Sequence, residues 1–226
     1  MAPGYAGTMT HGSYETTSIP GVFTFTPQIH GDDRGAFLEW FKADAFAETA
    51  GYPFIPEQAN MSVSAAGVLR GIHLAEVPPG QAKMVTCPAG RVLDIIVDLR
   101  VGSPAYLKHI VVELGGEQRQ VVHLPVGVGH GFISLVDDSV VTYLTSTGYD
   151  PDAEFGVNVR DAELGIDVEG MFAEHLPGVE PILSAKDAAA PGLEDVAERL
   201  PTWDDCVDLE TEMKDIWVLS NQEASE

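Results

Sequence analysis

The chain has 226 residues, of which 45% are hydrophobic, so it is long and apolar enough to bury the core of one domain. It contains 12 Lys and Arg against 35 Asp and Glu, and its formal net charge at pH 7 is -23. This charge argues against binding of nucleic acid or of an anionic membrane through bulk electrostatics, so an anionic ligand must be bound by local positive charge.

The first 18 residues are small and polar and predict a flexible N-terminus. They lack the basic start and the apolar core of a secretory signal, and no apolar run reaches the roughly 18 residues of a membrane-spanning helix. The two cysteines, Cys87 and Cys206, have no metal-type spacing and are expected to be reduced thiols. A cytoplasmic protein that contacts no membrane is therefore expected.

From residue 19 the pattern predicts β-strands. Residues 22–29 alternate apolar and polar side chains, residues 30–35 have turn composition, and residues 36–41 predict a second strand. A short helix is predicted over Ala43–Ala50, because Gly51 and Pro53 would stop it.

Between residue 58 and about residue 149 the chain predicts a series of short strands rich in Val, Ile and Leu and separated by turn residues. The clearest of these lie at residues 92–100, 109–114, 119–125, 130–136 and 139–145. Such a succession without intervening helices indicates an antiparallel, jelly-roll (cupin-type) barrel whose interior can hold a ligand.

Helical patterns return only near residues 192–200 and 204–217, and residues 220–226 are expected to fray. The predicted fold is therefore mainly β, with short helices that are mostly C-terminal. The predicted organisation is a flexible N-terminus (1–18), a barrel domain (19–193) and an acidic helical C-terminal extension (194–226).

The segment from Gly67 to Lys83 concentrates basic residues that are scarce elsewhere, since it contains Arg70, His73 and Lys83. A histidine can transfer a proton near neutral pH, and Arg and Lys can hold an anion or stabilise a developing negative charge. The segment therefore indicates either a site for proton chemistry on an anionic substrate or a surface hairpin with scattered charge.

The seven histidines differ in their surroundings. His11 and His175 are expected to be solvated, whereas His109 and His123 lie in predicted strands and can face either way. The remaining histidines each stand beside a glycine, which lets backbone or ligand approach closely. They are His30, His73 and His130.

No metal site is predicted, because the sequence has no H-x-H pair of the kind that opens the metal motif of many small barrels. This disfavours a metal-dependent oxygenase. The sequence also has no phosphate-binding loop, no dinucleotide-binding glycine motif after a strand and no Gly-x-Ser-x-Gly motif. Acid–base chemistry without an organic cofactor is the interpretation that remains.

Several motifs occur in an order and spacing that are jointly specific. They are HGDDRGAFLEWF (30–41), QANMSVSAAGVLRGIH with GQAK (58–83), VLDIIVDLRVGSP (92–104), LPVGVGHGFISL with VVTYLTSTGYDP (124–151) and PILSAKDAAAP (181–191). Over residues 19–193 the chain resembles the dTDP-4-dehydrorhamnose 3,5-epimerase family of cupin-fold sugar-nucleotide epimerases.

The resemblance implies an isomerase that converts dTDP-4-dehydro-6-deoxy-D-glucose to dTDP-4-dehydro-L-rhamnose by epimerisation at C3 and C5. His73 matches the family's general base, and Asp187 matches the carboxylate that pairs with it. Lys83 matches the residue that stabilises the enolate oxygen on C4, and Tyr143 matches the acid that reprotonates the ring from the opposite face.

The resemblance also implies substrate-binding positions. Those expected to carry the nucleotide and the diphosphate are Arg34, Glu39, Gln58, Asn60 and Arg70. Other matching pocket positions are His130 and Tyr149, with Lys186 as a further candidate.

Some positions depart from the family pattern. His30 stands where an aromatic residue is common, and His109 and Val168–Glu169 stand where tryptophan-containing motifs are common. These changes affect the expected stacking of the nucleobase and the shape of the sugar pocket. Two alternatives are an epimerase that acts on C3 only or C5 only, and a non-catalytic sugar-nucleotide-binding cupin. The second is expected to lack one of the four catalytic residues, and all four are present.

Members of the family form dimers through N-terminal strands, so the resemblance also implies a homodimer. The apolar strand at residues 22–26 is suited to strand exchange between two copies.

Overall fold

A computed structural model describes residues 11–223, and its strands form two facing antiparallel sheets. The strands are β1 Gly12–Thr16, β2 Phe23–Pro27, β3 His30–Asp32, β4 Gly35–Phe37, β5 Gln58–Ser64, β6 Leu69–Ala75, β7 Lys83–Ala89, β8 Arg91–Asp98, β9 His109–Gly115, β10 Val121–Leu124, β11 Val128–Ser134, β12 Ser139–Thr145 and β13 Glu154–Val157. One sheet has the order β1-β2-β10-β7-β12-β5, the other has the order β13-β6-β11-β8-β9, and β3 pairs with β4. The predicted mainly β, jelly-roll fold is confirmed.

Hydrophobic side chains pack in three layers. Between the sheets, Val85 and Val141 of the six-stranded sheet pack with Ile96 of the five-stranded sheet. The outer face of the five-stranded sheet is covered by residues that follow β13, and the outer face of the six-stranded sheet packs against Phe46 and its neighbours. Strand β8 is apolar along most of its length because both of its faces are covered.

The helices are α1 Ala43–Ala50, α2 Val168–His175, α3 Ala185–Ala188 and α4 Trp203–Glu223, with 3-10 helices at Ala162–Leu164 and Glu194–Arg199. The prediction of α1 is confirmed, and this helix ends at Gly51 with a left-handed φ of 84°.

Two helices were missing from the prediction because their sequences are short and only weakly periodic. They are α2 and α3, which begin after the capping residues Asp167 and Ser184. The predicted frayed end is wrong for residues 220–223, because α4 continues through them. Residues 224–226 lie outside the described part of the chain.

The prediction of a flexible N-terminus is wrong for residues 12–16, which form β1. Their backbone pairs with β2, and the Tyr14 ring packs on Phe25 with ring centroids 4.5 Å apart. The rest of that prediction, for residues 1–10, lies outside the described residues. The division into N-terminus, barrel domain and extension stays a prediction.

One strand prediction also needs correction. Of residues 36–41, only Ala36 and Phe37 are paired in a strand, because the chain leaves the β3–β4 hairpin there. Strand β2 pairs with β1 on one side and with β10 on the other, and its exchange between two copies stays a prediction. No helix between residues 11 and 223 is both long enough and apolar enough to cross a lipid bilayer.

Candidate active site

A cavity of about 360 Å³ lies between the two sheets and collects most of the predicted site residues. Its walls are formed by Gln58, Asn60, Ser62, Arg70, Gly71, His73, Gln81, Lys83, His130, Gly131, Phe132, Tyr143, Tyr149 and Glu154. A volume of this size suits a small-molecule site. Nine of the twelve predicted site residues line this cavity or bond directly to a residue that does.

Strands β6 and β11 place two histidines side by side on one wall. His130 is the register partner of His73, and directly paired residues of antiparallel strands project from the same face. Glycines let these strands approach closely, since a Cβ at Gly131 would lie 2.6 Å from the carbonyl oxygens of Arg70 and Gly71.

His73 and Asp187 form the dyad that the resemblance implied. The Nε2–H of His73 donates to Oδ1 of Asp187 at 2.7 Å, across 114 positions of sequence. The second oxygen, Oδ2, accepts a hydrogen bond from Ser184 Oγ at 2.8 Å, and Ser184 also caps α3. The carboxylate is therefore held on both sides. Nδ1 of His73 has no hydrogen-bond partner within residues 11–223 and is the atom that can take a proton.

Burial adjusts the proton affinity of this imidazole. It lowers the pKa of His73 below 6.5, and the negative charge of Asp187 partly opposes that decrease. Lys83 and Lys186 lower the same pKa slightly further through their positive charges. A lowered pKa keeps His73 neutral near pH 7, which a general base requires.

Lys83 brings a cationic side chain to the cavity from the six-stranded sheet. The residue is only 7% exposed, and its ammonium makes no hydrogen bond to another side chain within residues 11–223. Burial lowers the pKa of Lys83, while the carboxylates of Glu154 and Asp94 oppose that decrease. An unpaired buried ammonium at a cavity wall is suited to stabilising an oxyanion on a ligand.

Tyr143 faces the same cavity from β12, on the sheet opposite His73. Burial raises the pKa of the Tyr143 phenol, the Glu154 carboxylate raises it further, and Arg70 opposes the increase. The phenol therefore stays protonated at neutral pH. The cavity thus has a proton acceptor on one wall and a proton donor on the other.

Polar side chains at the cavity edge are linked to each other. The Gln58 amide donates to Asn60 Oδ1 at 2.7 Å, and its carbonyl oxygen accepts from the backbone N–H of Tyr149 at 2.9 Å. Arg70 lies over the Phe132 ring, 5.7 Å from its centroid. These contacts orient predicted binding residues toward one space.

Three predicted site residues do not reach the cavity of their own chain. Arg34 sits at the tip of the β3–β4 hairpin, where its side chain is 90% exposed and pairs with Asp32. Glu39 accepts a hydrogen bond from His11. Lys186 is exposed on α3 and acts on His73 only through its charge.

The other histidines are distributed differently from the prediction in one case. His11 was expected to be solvated, but it is half-buried between Glu39 and Lys42. His123 faces the outer side of the six-stranded sheet, where it is buried beside Phe46, and its Nδ1–H donates to the Gly21 carbonyl at 3.0 Å. Within residues 11–223, no three His, Cys, Asp or Glu side chains are grouped so as to hold a metal ion.

Sequence reasoning missed two carboxylates and one amide at this site. Glu154 lines the cavity, where its Oε1 accepts from Gln81 at 3.3 Å. Asp94 accepts from His130 at 2.6 Å behind the wall. Gln81 lies within the GQAK motif, which was the signal available for it, and Asp94 is a charged residue inside an otherwise apolar strand.

Comparison with known proteins gives a consistent result. The sequence profile of the family described as dTDP-4-dehydrorhamnose 3,5-epimerase matches residues 16–195. The chain is 47% identical over 192 residues to the dTDP-4-dehydrorhamnose 3,5-epimerase of Mycolicibacterium smegmatis, which covers 84% of this chain and 90% of that protein.

Solved structures show the same similarity. The rmlC epimerase of Mycobacterium tuberculosis matches with a TM-score of 0.83 and 40% identity, over 89% of this chain and 99% of that one. ChmJ, a 3'-monoepimerase from Streptomyces bikiniensis solved in complex with dTDP-quinovose, matches with a TM-score of 0.80 and 38% identity, over 88% of this chain and 98% of that one. The chain is an isomerase and belongs to the dTDP-4-dehydrorhamnose 3,5-epimerase family.

Proposed function

We propose that the chain epimerises dTDP-4-dehydro-6-deoxy-D-glucose at C3 and C5 and gives dTDP-4-dehydro-L-rhamnose. The observation that carries the proposal is the placement of the His73–Asp187 dyad and Tyr143 on opposite walls of one cavity. Inversion at a carbon needs a proton to leave one face and another to arrive at the opposite face, and this arrangement supplies both groups.

The proposed reaction begins with proton removal by His73. The C4 ketone acidifies the hydrogens on C3 and C5, and Nδ1 of His73 takes one of them while Asp187 stabilises the imidazolium. The electron pair moves onto the C4 oxygen and gives an enolate, which the Lys83 ammonium stabilises.

Tyr143 then completes the inversion. Its phenol donates a proton to the same ring carbon from the opposite face, and the C4 ketone re-forms. The imidazolium of His73 then releases its proton to solvent, and the phenolate of Tyr143 takes one up, so that both groups are reset. The second carbon follows the same steps. Because the burial-raised pKa of Tyr143 keeps the phenol protonated, it is ready to donate in each step.

The proposed substrate carries a nucleoside diphosphate, and the cavity edge offers groups for it. Arg70 lies at the wall, and Gln58 and Asn60 stand at the same edge as Tyr149, a residue that is 56% exposed. An arginine binds phosphate oxygens with two parallel hydrogen bonds, and an exposed aromatic ring can stack on a base. ChmJ was solved with a dTDP-sugar.

We also propose a homodimer formed through the part of the six-stranded sheet's outer face that surrounds its edge strand β5 and is not covered by Phe46 and its neighbours. Its edge strand β5 exposes Met61 (70%) and Val63 (59%), and the neighbouring hairpin exposes Phe37 (60%). An apolar edge strand of this kind is suited to pairing with a second copy. Since Arg34 and Glu39 lie outside the cavity of their own chain, their proposed binding role requires the cavity of that second copy.

Proton NMR of dTDP-4-dehydro-6-deoxy-D-glucose with the protein in D₂O tests the function. Solvent deuterium at both C3 and C5 is the expected result. Deuterium at only one carbon would assign a single-position epimerase, and its absence at both would favour the non-catalytic binder. The matched variant His73→Ala is expected to abolish exchange, and normal exchange in that variant would refute the assignment of the base.

Light scattering at several protein concentrations tests the dimer. The wild-type chain is expected to have the mass of two copies, and Met61→Asp is expected to shift it toward one copy. If the wild-type chain is a monomer, there is no second copy whose cavity Arg34 and Glu39 can reach, and their proposed binding role fails.

A cytoplasmic location stays a prediction that agrees with the two free, buried cysteines.

A further inference from the structure

The cavity wall carries a second histidine–carboxylate pair beside the His73 dyad. The Nε2–H of His130 donates to Oδ1 of Asp94 at 2.6 Å. His130 lines the cavity as the strand neighbour of His73, and its Nδ1 has no hydrogen-bond partner within residues 11–223. The two imidazoles therefore share an arrangement in which a carboxylate holds Nε2 and leaves Nδ1 free.

Asp94 is an unusual residue for a structural role. It is completely buried on β8, and its second oxygen, Oδ2, has no hydrogen-bond partner in the described chain. The only hydrogen bond of its side chain within residues 11–223 is the one to His130. A buried carboxylate that is satisfied on one side only costs stability, because desolvation of its charge is incompletely compensated.

Asp98, on the same strand, is a buried carboxylate with a structural role and can be compared with Asp94. It is equally buried, but it accepts from Arg100 Nε and Nη2, both at 2.8 Å, and from Ser103 Oγ at 2.6 Å. These bonds fasten the turn that follows β8. The contrast indicates that Asp94 is retained for what it does to His130.

We propose that Asp94 is a positioning residue that fixes the ring and the tautomer of His130 and so presents Nδ1 of His130 for hydrogen bonding to the bound sugar. A carboxylate can only accept, so it selects the tautomer with hydrogen on Nε2 and directs the other nitrogen into the cavity. The inference rests on the proposed function, because the reaction supplies the readout.

The first test compares two matched variants, Asp94→Asn and Asp98→Asn. We expect Asp94→Asn to leave the melting temperature unchanged or to raise it. We expect kcat/KM to fall by about 10- to 100-fold, which is the loss typical when a residue that orients a metal-binding histidine is replaced. Asp98→Asn is expected to do the reverse, with a lower melting temperature and an unchanged kcat/KM. A fall in melting temperature without loss of activity in Asp94→Asn would overturn the proposal.

A double-mutant cycle with His130→Asn tests whether Asp94 acts through His130. If it does, Asp94→Asn costs nothing further once His130 is replaced. Equal losses in both backgrounds would overturn the proposal and would indicate that Asp94 acts on Lys83, the other charged group near it. Asp98→Asn serves as the control because its effect on stability should be the same in both backgrounds.

Nitrogen-15 NMR of histidine-labelled protein reports the tautomer without catalysis. With dTDP bound, the wild-type chain is expected to show His130 protonated at Nε2, and Asp94→Asn is expected to show a mixture of tautomers. A single Nε2–H tautomer in both proteins would overturn the proposal. If the wild-type chain exchanges no deuterium into the substrate, the proposed function fails. The nitrogen-15 spectrum does not depend on catalysis, so it still shows whether Asp94 fixes the tautomer of His130.

Discussion

Gly71 and Asp187 lie so close that a side chain at position 71 would displace the Asp187 carboxylate. A Cβ at position 71 would lie 2.9 Å from Oδ1 of Asp187, the same oxygen that accepts the hydrogen bond from His73. The backbone of Gly71 has no left-handed φ, so any residue can adopt its conformation. Glycine is therefore needed at position 71 because a larger residue would collide with the dyad, and not because the strand backbone demands it.

Gly71→Ala is expected to push the Asp187 carboxylate away from His73 with little loss of stability, because the displaced atom is the end of a side chain. A misplacement of about 1 Å in a catalytic group typically costs on the order of 100-fold in rate. Turnover and thermal unfolding of the variant should be measured together. Gly31→Ala is the control, since its Cβ would have no neighbour closer than 3.8 Å; equal activities of the two variants would contradict this account.

Asp187→Asn should shift the pH dependence of kcat/KM. The negative charge of Asp187 raises the pKa of His73 against the effect of burial, so its removal lowers that pKa further. Because the base acts as neutral imidazole, activity is lost as the pH falls through this pKa, and the acidic limb is expected to move to lower pH. The rate at its plateau should fall by up to about 10⁴-fold, since the tautomer is no longer fixed. An unmoved acidic limb would argue against the dyad.

Tyr143→Phe is expected to reduce turnover much more than binding. Loss of a general acid typically costs about 10²- to 10⁴-fold in kcat, whereas the aromatic ring and its packing remain. Calorimetric titration with dTDP should give an affinity close to that of the wild-type chain. Equal losses in kcat and in affinity would mark Tyr143 as a binding residue.

Glu154→Gln is expected to move the alkaline limb of the rate to lower pH. The Glu154 carboxylate raises the pKa of both Tyr143 and Lys83, so its removal lowers both. Each group acts in its protonated form, and each is then lost earlier as the pH rises. The conservative change keeps the bond to Gln81 available, and kcat at pH 6 is the matched internal control. A limb that moves to higher pH would contradict the proposed charges.

The fold was largely predictable because the strand signal is strong and local. Alternating or continuous runs of apolar residues predicted the positions of most strands, and Gly51 predicted the end of α1. Helices α2 and α3 were missed because tertiary packing and capping by Asp167 and Ser184, not periodicity, determine them.

The site was predictable only in part from local sequence. The segment from Gly67 to Lys83 indicated a base and a cation, but the partner of His73 lies 114 positions away and reaches it through α3. Glu154 was missed because a carboxylate has no distinctive neighbourhood in a chain with 35 Asp and Glu. For Asp94 a usable signal existed, since a charge inside an apolar strand implies a buried partner.

His123 gives a last prediction, about stability at acidic pH. The imidazole is buried beside Phe46, with ring centroids 4.6 Å apart, and burial lowers the pKa of His123 to about 4 from 6.5. The folded chain keeps it neutral, whereas the unfolded chain binds a proton once the pH falls below about 6.5. Stability is therefore complete above that pH and is lost as the pH falls toward 4.

Linkage with these values gives a loss of about 2 kcal/mol between pH 7 and pH 5 from this one group. His123→Phe keeps an aromatic ring among its neighbours and cannot bind the proton, so its free energy of unfolding should depend less on pH by about that amount. Urea unfolding of both proteins at pH 7 and pH 5 provides the measurement, and His175→Gln, at the exposed C-terminal end of α2, is the control. The comparison within each protein cancels the lost hydrogen bond to Gly21, so an unchanged pH dependence in His123→Phe would show that the buried imidazole is not what makes the fold sensitive to acid.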